Sequence, residues 1–339
     1  MIKSAIAHTS KAIQSSITQI LSQNAFCELI WTAEDLEEIQ FKFFNDPPDF
    51  LILDVDLITL EAPQLIQLLL KKHLCHILLI TSDMAANANK IFDSLGQGAA
   101  EVICTKNENL DKDTHFVDQF LFKLNKILRL EGKDAFVKAK PRRDFFSSKR
   151  PQHHPLIVIG ASTGGPLAIS QIISNFPPHV NFTVVIIQHL DAAFIPNLIS
   201  WLSGYSKIPV KEALSGTRLE PGVIYLAAKE KHLVINKAKK FEYINLKTPN
   251  VYAPSIDVFF ESLAENWIEP EVAVLLTGMG SDGAVGLKKL FDHSWYTIVQ
   301  NQESCVVYGM PKIAVNLGAA HEILPIKEIG PRILNLLGY

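Results

Sequence analysis

The feature that most constrains this chain is the stretch Leu156-Ile157-Val158-Ile159-Gly160-Ala161-Ser162-Thr163-Gly164-Gly165-Pro166. Its apolar, mostly β-branched opening reads as a short buried strand. The strand breaks at once into small residues. Pro166 suits the first turn of a following helix, whose apolar stripe is Leu167, Ile169, Ile172 and Ile173. Strand, turn and helix in that order put Ser162 and Thr163 at the carboxyl end of a parallel strand, the edge where open α/β sheets bind ligands. A serine there, beside a helix amino terminus that favours negative charge, is placed to act as a nucleophile.

Three readings of this turn compete. It can be a packing turn that needs small residues. It can be a dinucleotide site, since G-x-x-x-G-G resembles the glycine turn of short-chain dehydrogenases, and a Tyr-x-x-x-Lys pair exists at Tyr308 and Lys312. Pro311 interrupts the helix that would have to hold that pair on one face, however. Pro166 also fills the place of a third glycine, and no acid ends the strand Thr183 to Ile187 to hold a ribose. The remaining reading, nucleophilic catalysis, requires a base and an orienting acid elsewhere in the chain.

Composition narrows the classes. A chain of 339 residues holds about two domains. Hydrophobic residues at 48% suffice for two cores, which argues against extensive disorder. A formal net charge of −3 supplies no bulk field for nucleic acid. Cysteines 27, 75, 104 and 305 form no C-x-x-C pair, so neither a disulfide frame nor a zinc site is suggested. No stretch of roughly 18 uncharged apolar residues and no cationic leader is present. A soluble, cytoplasmic protein without membrane insertion is expected.

From residue 2 to about 106, strands and helices alternate, as in a doubly wound parallel sheet. Strands are expected at Ser4 to Ala7, Phe50 to Leu53, Ile77 to Ile80 and Val102 to Cys104, with helices through Ile13 to Leu21, Leu65 to Leu70 and Ile91 to Leu95. A last helix carries the stripe Phe116, Phe120, Leu121, Leu124, Ile127 and Leu128. Asp54, Thr81 and Lys106 close three of the strands. In spacing and context they resemble the phospho-acceptor aspartate, hydroxyl residue and lysine of response-regulator receiver domains. Pro48-Asp49 and Gly98-Ala99 fit that family too. The resemblance implies a flavodoxin-like strand order, with Asp54 as acceptor and Thr81 and Lys106 in the receiver pocket; alternatively, Asp54 is only a strand-end turn residue. Receivers carry a pair of acids after the first strand to hold Mg²⁺. Here His8 and Thr9 fill those places, a poor set of ligands for a hard cation, so no metal site is assigned. A degenerate receiver, phosphorylated weakly or not at all, is expected.

Residues 131–154 read as a linker, with seven Lys or Arg against three acids and two prolines. A second alternation follows. The strand Thr183 to Ile187 runs into Gln188-His189, and a histidine at that edge is where a general base would lie. The strand Val272 to Leu276 runs into Thr277-Gly278-Met279-Gly280-Ser281-Asp282-Gly283, glycines around one acid. Ser162, His189 and Asp282 thus all follow buried strands on one sheet edge.

On these motifs, together with Pro254-Ser255-Ile256-Asp257-Val258 and Gln302 to Lys312, residues 155–339 resemble the catalytic domain of the chemotaxis protein-glutamate methylesterases. With residues 1–130 as the receiver-like regulatory domain, the resemblance covers nearly the whole chain and implies two doubly wound α/β domains joined by the linker. It implies a serine hydrolase acting on glutamate γ-methyl esters of chemoreceptor helices, with Ser162 as nucleophile, His189 as base, Asp282 as orienting acid and the Met279 backbone as oxyanion donor. No metal or organic cofactor is implied. Methylated receptor helices are the expected partners, with a histidine kinase or an array scaffold as further ones. Receptor-glutamine amidase activity needs the same residues, and a non-catalytic docking module of a signalling array is the rival from another class. Three loops depart from the family: Leu190-Asp191-Ala192 replaces prolines, Ala228-Lys229-Glu230-Lys231-His232 replaces glycines before a histidine pair, and Tyr252-Ala253 replaces a basic residue. These loops lie where the family would meet its substrate, so they bear on receptor specificity and not on the chemistry.

Overall fold

The computed structural model describes residues 2–23, 27–58, 64–105, 110–128, 154–245 and 253–339. The chain divides into two compact units, Met1–Gly132 and Lys133–Tyr339. Apart from His154, the expected linker lies outside the described residues.

In the first unit the order is β1 (Ile2–Ala7), α1 (Lys11–Ser22), β2 (Cys27–Ala33), α2 (Leu36–Asn45), β3 (Phe50–Asp54), α3 (Leu65–Lys72), β4 (His76–Thr81), α4 (Ala88–Gly96), β5 (Glu101–Cys104) and α5 (Thr114–Leu128). The sheet is parallel throughout, in the order β2-β1-β3-β4-β5, the expected flavodoxin-like arrangement. The strand and helix at Cys27–Ala33 and Leu36–Asn45 are absent from the sequence reading. β2 is an edge strand and most of its residues are only half-buried, so it lacks the unbroken apolar run that betrays a central strand. β3, by contrast, is buried at every position. Ile6, Ile52, Leu78 and Ile80 meet Ile17, Phe116, Phe120 and Leu124 in one core.

The second unit runs β6 (Leu156–Ala161), α6 (Gly165–Ile173), β7 (Thr183–Gln188), α7 (Ile195–Ser203), β8 (Val210–Glu212), β9 (Ile224–Leu226), β10 (His232–Ile235), β11 (Phe241–Ile244), α8 (Ile256–Asn266), β12 (Val272–Leu275), α9 (Ala284–Asp292), β13 (Tyr296–Gln300), α10 (Met310–Asn316), β14 (Glu322–Leu324) and α11 (Ile326–Leu337). Seven strands form a parallel sheet in the order β14-β13-β12-β6-β7-β9-β8, and β10 and β11 form a separate antiparallel pair. Consecutive residues of β6, β7 and β12 are all buried, so both faces of the sheet are covered. The strand order reverses at β6, with α6 leading to β7 on one side and β12 pairing on the other, all in parallel. That reversal opens a crevice at the carboxyl ends of these strands. Among the described residues, no helix is long and apolar enough to cross a membrane.

Candidate active site at the strand carboxyl edge

Ser162 stands on the turn between β6 and α6. Its N–H donates to Thr277 O at 3.1 Å and its carbonyl accepts from Gly165 N at 2.8 Å. The turn closes because Gly164 takes φ 77° at the N-cap of α6, a left-handed conformation that side chains rarely adopt. Thr163, which could have capped α6 with its hydroxyl, does not; its carbonyl instead accepts from Thr277 Oγ1 at 2.9 Å. The Ser162 hydroxyl is buried and makes no hydrogen bond among the described residues. A polar group kept in that state is free to be claimed by a substrate or a base.

His189 continues the ladder beyond β7, its N–H donating to Ala161 O at 3.0 Å. Gln188, just before it, donates through Nε2 to Ser162 O at 2.9 Å and to His189 O at 3.0 Å. One amide therefore ties the two turns together. The imidazole meets Asp282 through Nε2, at 2.7 Å from Oδ2. No hydrogen bond joins it to Ser162 Oγ.

Asp282 lies in the loop between β12 and α9, and its carboxylate rests on the amino terminus of α8. Oδ2 accepts from Ile256 N at 2.8 Å; Oδ1 accepts from Asp257 N at 3.0 Å and from Ser255 Oγ at 2.8 Å. With His189 that makes four donors, the full capacity of an ionised carboxylate. Burial works to raise the Asp282 pKa, but the His189 imidazole and the helix N–H groups outweigh it and hold the carboxyl at about 2. Ser255 also caps α8, its Oγ accepting from Val258 N at 3.3 Å. Behind it, His232 is buried and accepts Ser255 N–H at Nδ1, 3.2 Å away; burial lowers its pKa, which keeps the ring neutral. Ser255 and Asp257 belong to the Pro254-to-Val258 motif, which assigns them no role by itself. Their signal was available: a serine followed by an acid at a helix start is a cap.

The loop carrying Asp282 also brings Met279 to the site. Gly278 pairs with the following segment, its N–H donating to Val307 O at 3.0 Å and its carbonyl accepting from Met310 N at 2.9 Å. A side chain at Gly278 would meet Ser162 Cβ at 2.7 Å, so this backbone runs directly against the serine. Among the described residues the Met279 N–H donates no hydrogen bond. Of the divergent loops, Asp191 caps a short turn by accepting Ala193 N–H at 2.9 Å, and Lys229 lies 5.1 Å from the centre of the Tyr243 ring. Tyr252 lies outside the described residues.

In the first unit, Asp54 and Thr81 end neighbouring strands and both are buried. Asp54 Oδ1 accepts from Asp56 N at 2.9 Å and Oδ2 from Thr9 Oγ1 at 3.3 Å. Thr81 Oγ1 accepts from Asn87 Nδ2 at 3.1 Å, and the same amide donates to Asp56 Oδ1 at 2.9 Å. Lys106 lies outside the described residues. His8 Nδ1 is 3.4 Å from Asp54 Oδ2, an ion pair only if the ring is charged. Burial lowers the His8 pKa against the pull of Asp54 and Asp56, and Nδ1 accepts the Ser10 N–H at 2.9 Å. We therefore read a neutral imidazole and no ion pair. These residues do not fit Mg²⁺: an imidazole whose Nδ1 lone pair is committed and a hydroxyl bonded to Asp54 replace the expected acids.

A serine, a histidine and an aspartate on one edge of a doubly wound sheet make up the residue set of serine-dependent hydrolases. The comparisons narrow that class. The chain belongs to the CheB methylesterase family, whose model matches residues 157–333. A Cupriavidus metallidurans protein named protein-glutamate methylesterase/protein-glutamine glutaminase 2 is 34% identical over 334 residues, 98% of each chain. A Mesorhizobium japonicum protein-glutamate methylesterase/protein-glutamine glutaminase is 35% identical over 309 residues, 91% of this chain and 90% of that one. Among solved structures, the Thermotoga maritima CheB methylesterase catalytic domain matches with a TM-score of 0.51 and 34% identity, covering 54% of this chain and 98% of that one.

Proposed function

We propose that this chain is a protein-glutamate methylesterase that hydrolyses glutamate γ-methyl esters on chemoreceptor cytoplasmic helices, with Ser162, His189 and Asp282 as its catalytic residues. One observation carries the assignment of roles: the imidazole of His189 is held at 2.7 Å by a carboxylate that has every other acceptor position filled. Ser162 Oγ attacks the ester carbonyl, and His189 Nδ1 takes its proton, since Nε2 is committed to Asp282. Asp282 fixes the tautomer and stabilises the imidazolium. The Met279 N–H is the donor this reading assigns to the oxygen that becomes negative; one such donor contributes about 3 kcal/mol to transition-state binding. Protonated His189 then releases methanol, and water attacks the acyl-serine through the same base. The residues perform this chemistry without a cofactor.

The same apparatus suits a glutamine side chain, with ammonia as the leaving group, and the relatives' double name favours that second activity. The reading implies a cytoplasmic enzyme whose receiver-like unit meets a histidine kinase or an array scaffold. The test is methanol release from a methylated receptor fragment, with ammonia release from its glutamine form measured alongside. Wild type should release methanol and Ser162→Ala should not. Release unaffected by Ser162→Ala would overturn the assignment.

A further inference from the structure

Asp257 is a second carboxyl at the same helix start, and the proposed reaction leaves it without a role. Its Oδ1 accepts Gly286 N–H at 2.6 Å, across the close contact of α8 with α9. Its own N–H donates to Asp282 Oδ1 at 3.0 Å, so the two acidic residues are in direct contact. Two neighbouring carboxyls do not both ionise readily, and one of them keeps its proton. The donor inventory decides which of them holds it. Asp282 has four donors on its two oxygens, which suits only the ionised form. Among the described residues the Asp257 carboxyl accepts only the Gly286 N–H, so protonating it forfeits little.

We propose that Asp257 is a positioning residue that carries the proton of this carboxyl pair, so that a single negative charge, located on Asp282, faces His189. The inference rests on the catalytic reading above. If both carboxyls ionised, mutual repulsion would push Asp282 off the α8 amino terminus and tilt the imidazole away from Ser162. The other charged and titratable groups nearby are Glu261, one turn along α8; Lys289 of α9, which pairs with Glu261 at 2.6 Å; and His232, neutral behind Ser255. Glu261 adds to the pressure against ionisation. Burial, followed by the charges of Asp282 and Glu261, raises the Asp257 pKa to about 7 despite the Gly286 N–H. The proton is therefore held below neutrality and lost as pH rises through that value.

The experiment compares full-length wild type, Asp257→Asn and Asp257→Ala by infrared difference spectroscopy and by the pH profile of methanol release. Wild type near pH 6 should show a protonated-carboxyl band that disappears above pH 8 and is missing in Asp257→Asn. Asp257→Ala leaves Gly286 N–H without its acceptor and should lower kcat/KM on the order of a hundredfold, the effect of misplacing a catalytic group by about 1 Å. Asp257→Asn keeps the shape and a donor, so it should recover most of that loss while removing the inflection near neutrality from the pH profile. A band that survives in Asp257→Asn, or an Asn variant as impaired as the alanine one, would overturn the proposal. If wild type releases no methanol, the catalytic reading fails, and the infrared band still decides where the proton sits.

Discussion

Replacing Gly165 by alanine sets two effects of opposite sign against each other. Gly165 is the first residue of α6 and its φ is not positive, so local helix propensity alone favours alanine by about 0.5–1 kcal/mol. The tertiary structure opposes it. A Cβ at this position would stand 2.0 Å from Gln188 Oε1 and 2.8 Å from Ala161 Cβ, where ordinary contact starts at 3.4 Å. The carboxamide must retreat by 3.4 − 2.0 = 1.4 Å, and it cannot swing freely because its Nε2 bonds two carbonyls. Overpacking costs about 1–3 kcal/mol, and each neutral hydrogen bond lost costs about 1 kcal/mol. The net expectation is destabilisation of roughly 1–4 kcal/mol, read from denaturant midpoints. Those two bonds tie the Ser162 turn to the His189 turn, so kcat/KM for methanol release should also fall by tenfold or more. In a Gln188→Ala background the same glycine change should cost much less, giving a clear coupling energy. An alanine variant as stable and as active as wild type would refute the reasoning.

Ser162→Ala should lower ester hydrolysis by about three orders of magnitude or more while leaving the denaturant midpoint within error, because its hydroxyl bonds nothing among the described residues. Ser255→Ala removes a charged hydrogen bond to Asp282 and the cap of α8 together; unfolding should show a loss of about 2–4 kcal/mol, and an unchanged midpoint would mean the hydroxyl matters to neither. The two carboxyls also give opposite pH dependences of stability. Asp282, held at about 2 against an ordinary 3.8, stabilises the fold above pH 4 and loses that contribution as pH falls towards 2. Asp257, raised from 3.8 to about 7, makes stability decline as pH rises between those values; Asp257→Asn should flatten that decline in thermal unfolding measured from pH 5 to 8. Finally, a small phosphodonor with Mg²⁺ should change the esterase activity of the full chain little, since His8 and Thr9 stand at the acid positions. Strong stimulation that Asp54→Ala abolishes would show a working receiver.

The two doubly wound units, and the edge on which Ser162, His189 and Asp282 lie, are legible in the sequence alone. Central parallel strands are buried on both faces, so β3, β6, β7 and β12 are written as unbroken apolar runs whose ends are unmistakable. The edge strand β2 carries no such mark, because a half-exposed strand tolerates Glu28, Trp31 and Thr32. What surrounds Asp282 was decided only in three dimensions. Ser255, Ile256 and Asp257 stand 25 to 27 positions away in the chain. Only the packing of α8 against α9 aims that helix start at the carboxylate. The clamp by Gln188, the clash awaiting a side chain at Gly165 and the proton on Asp257 arise the same way. Each depends on a distance of a few ångströms between segments whose separate sequences hold no record of it.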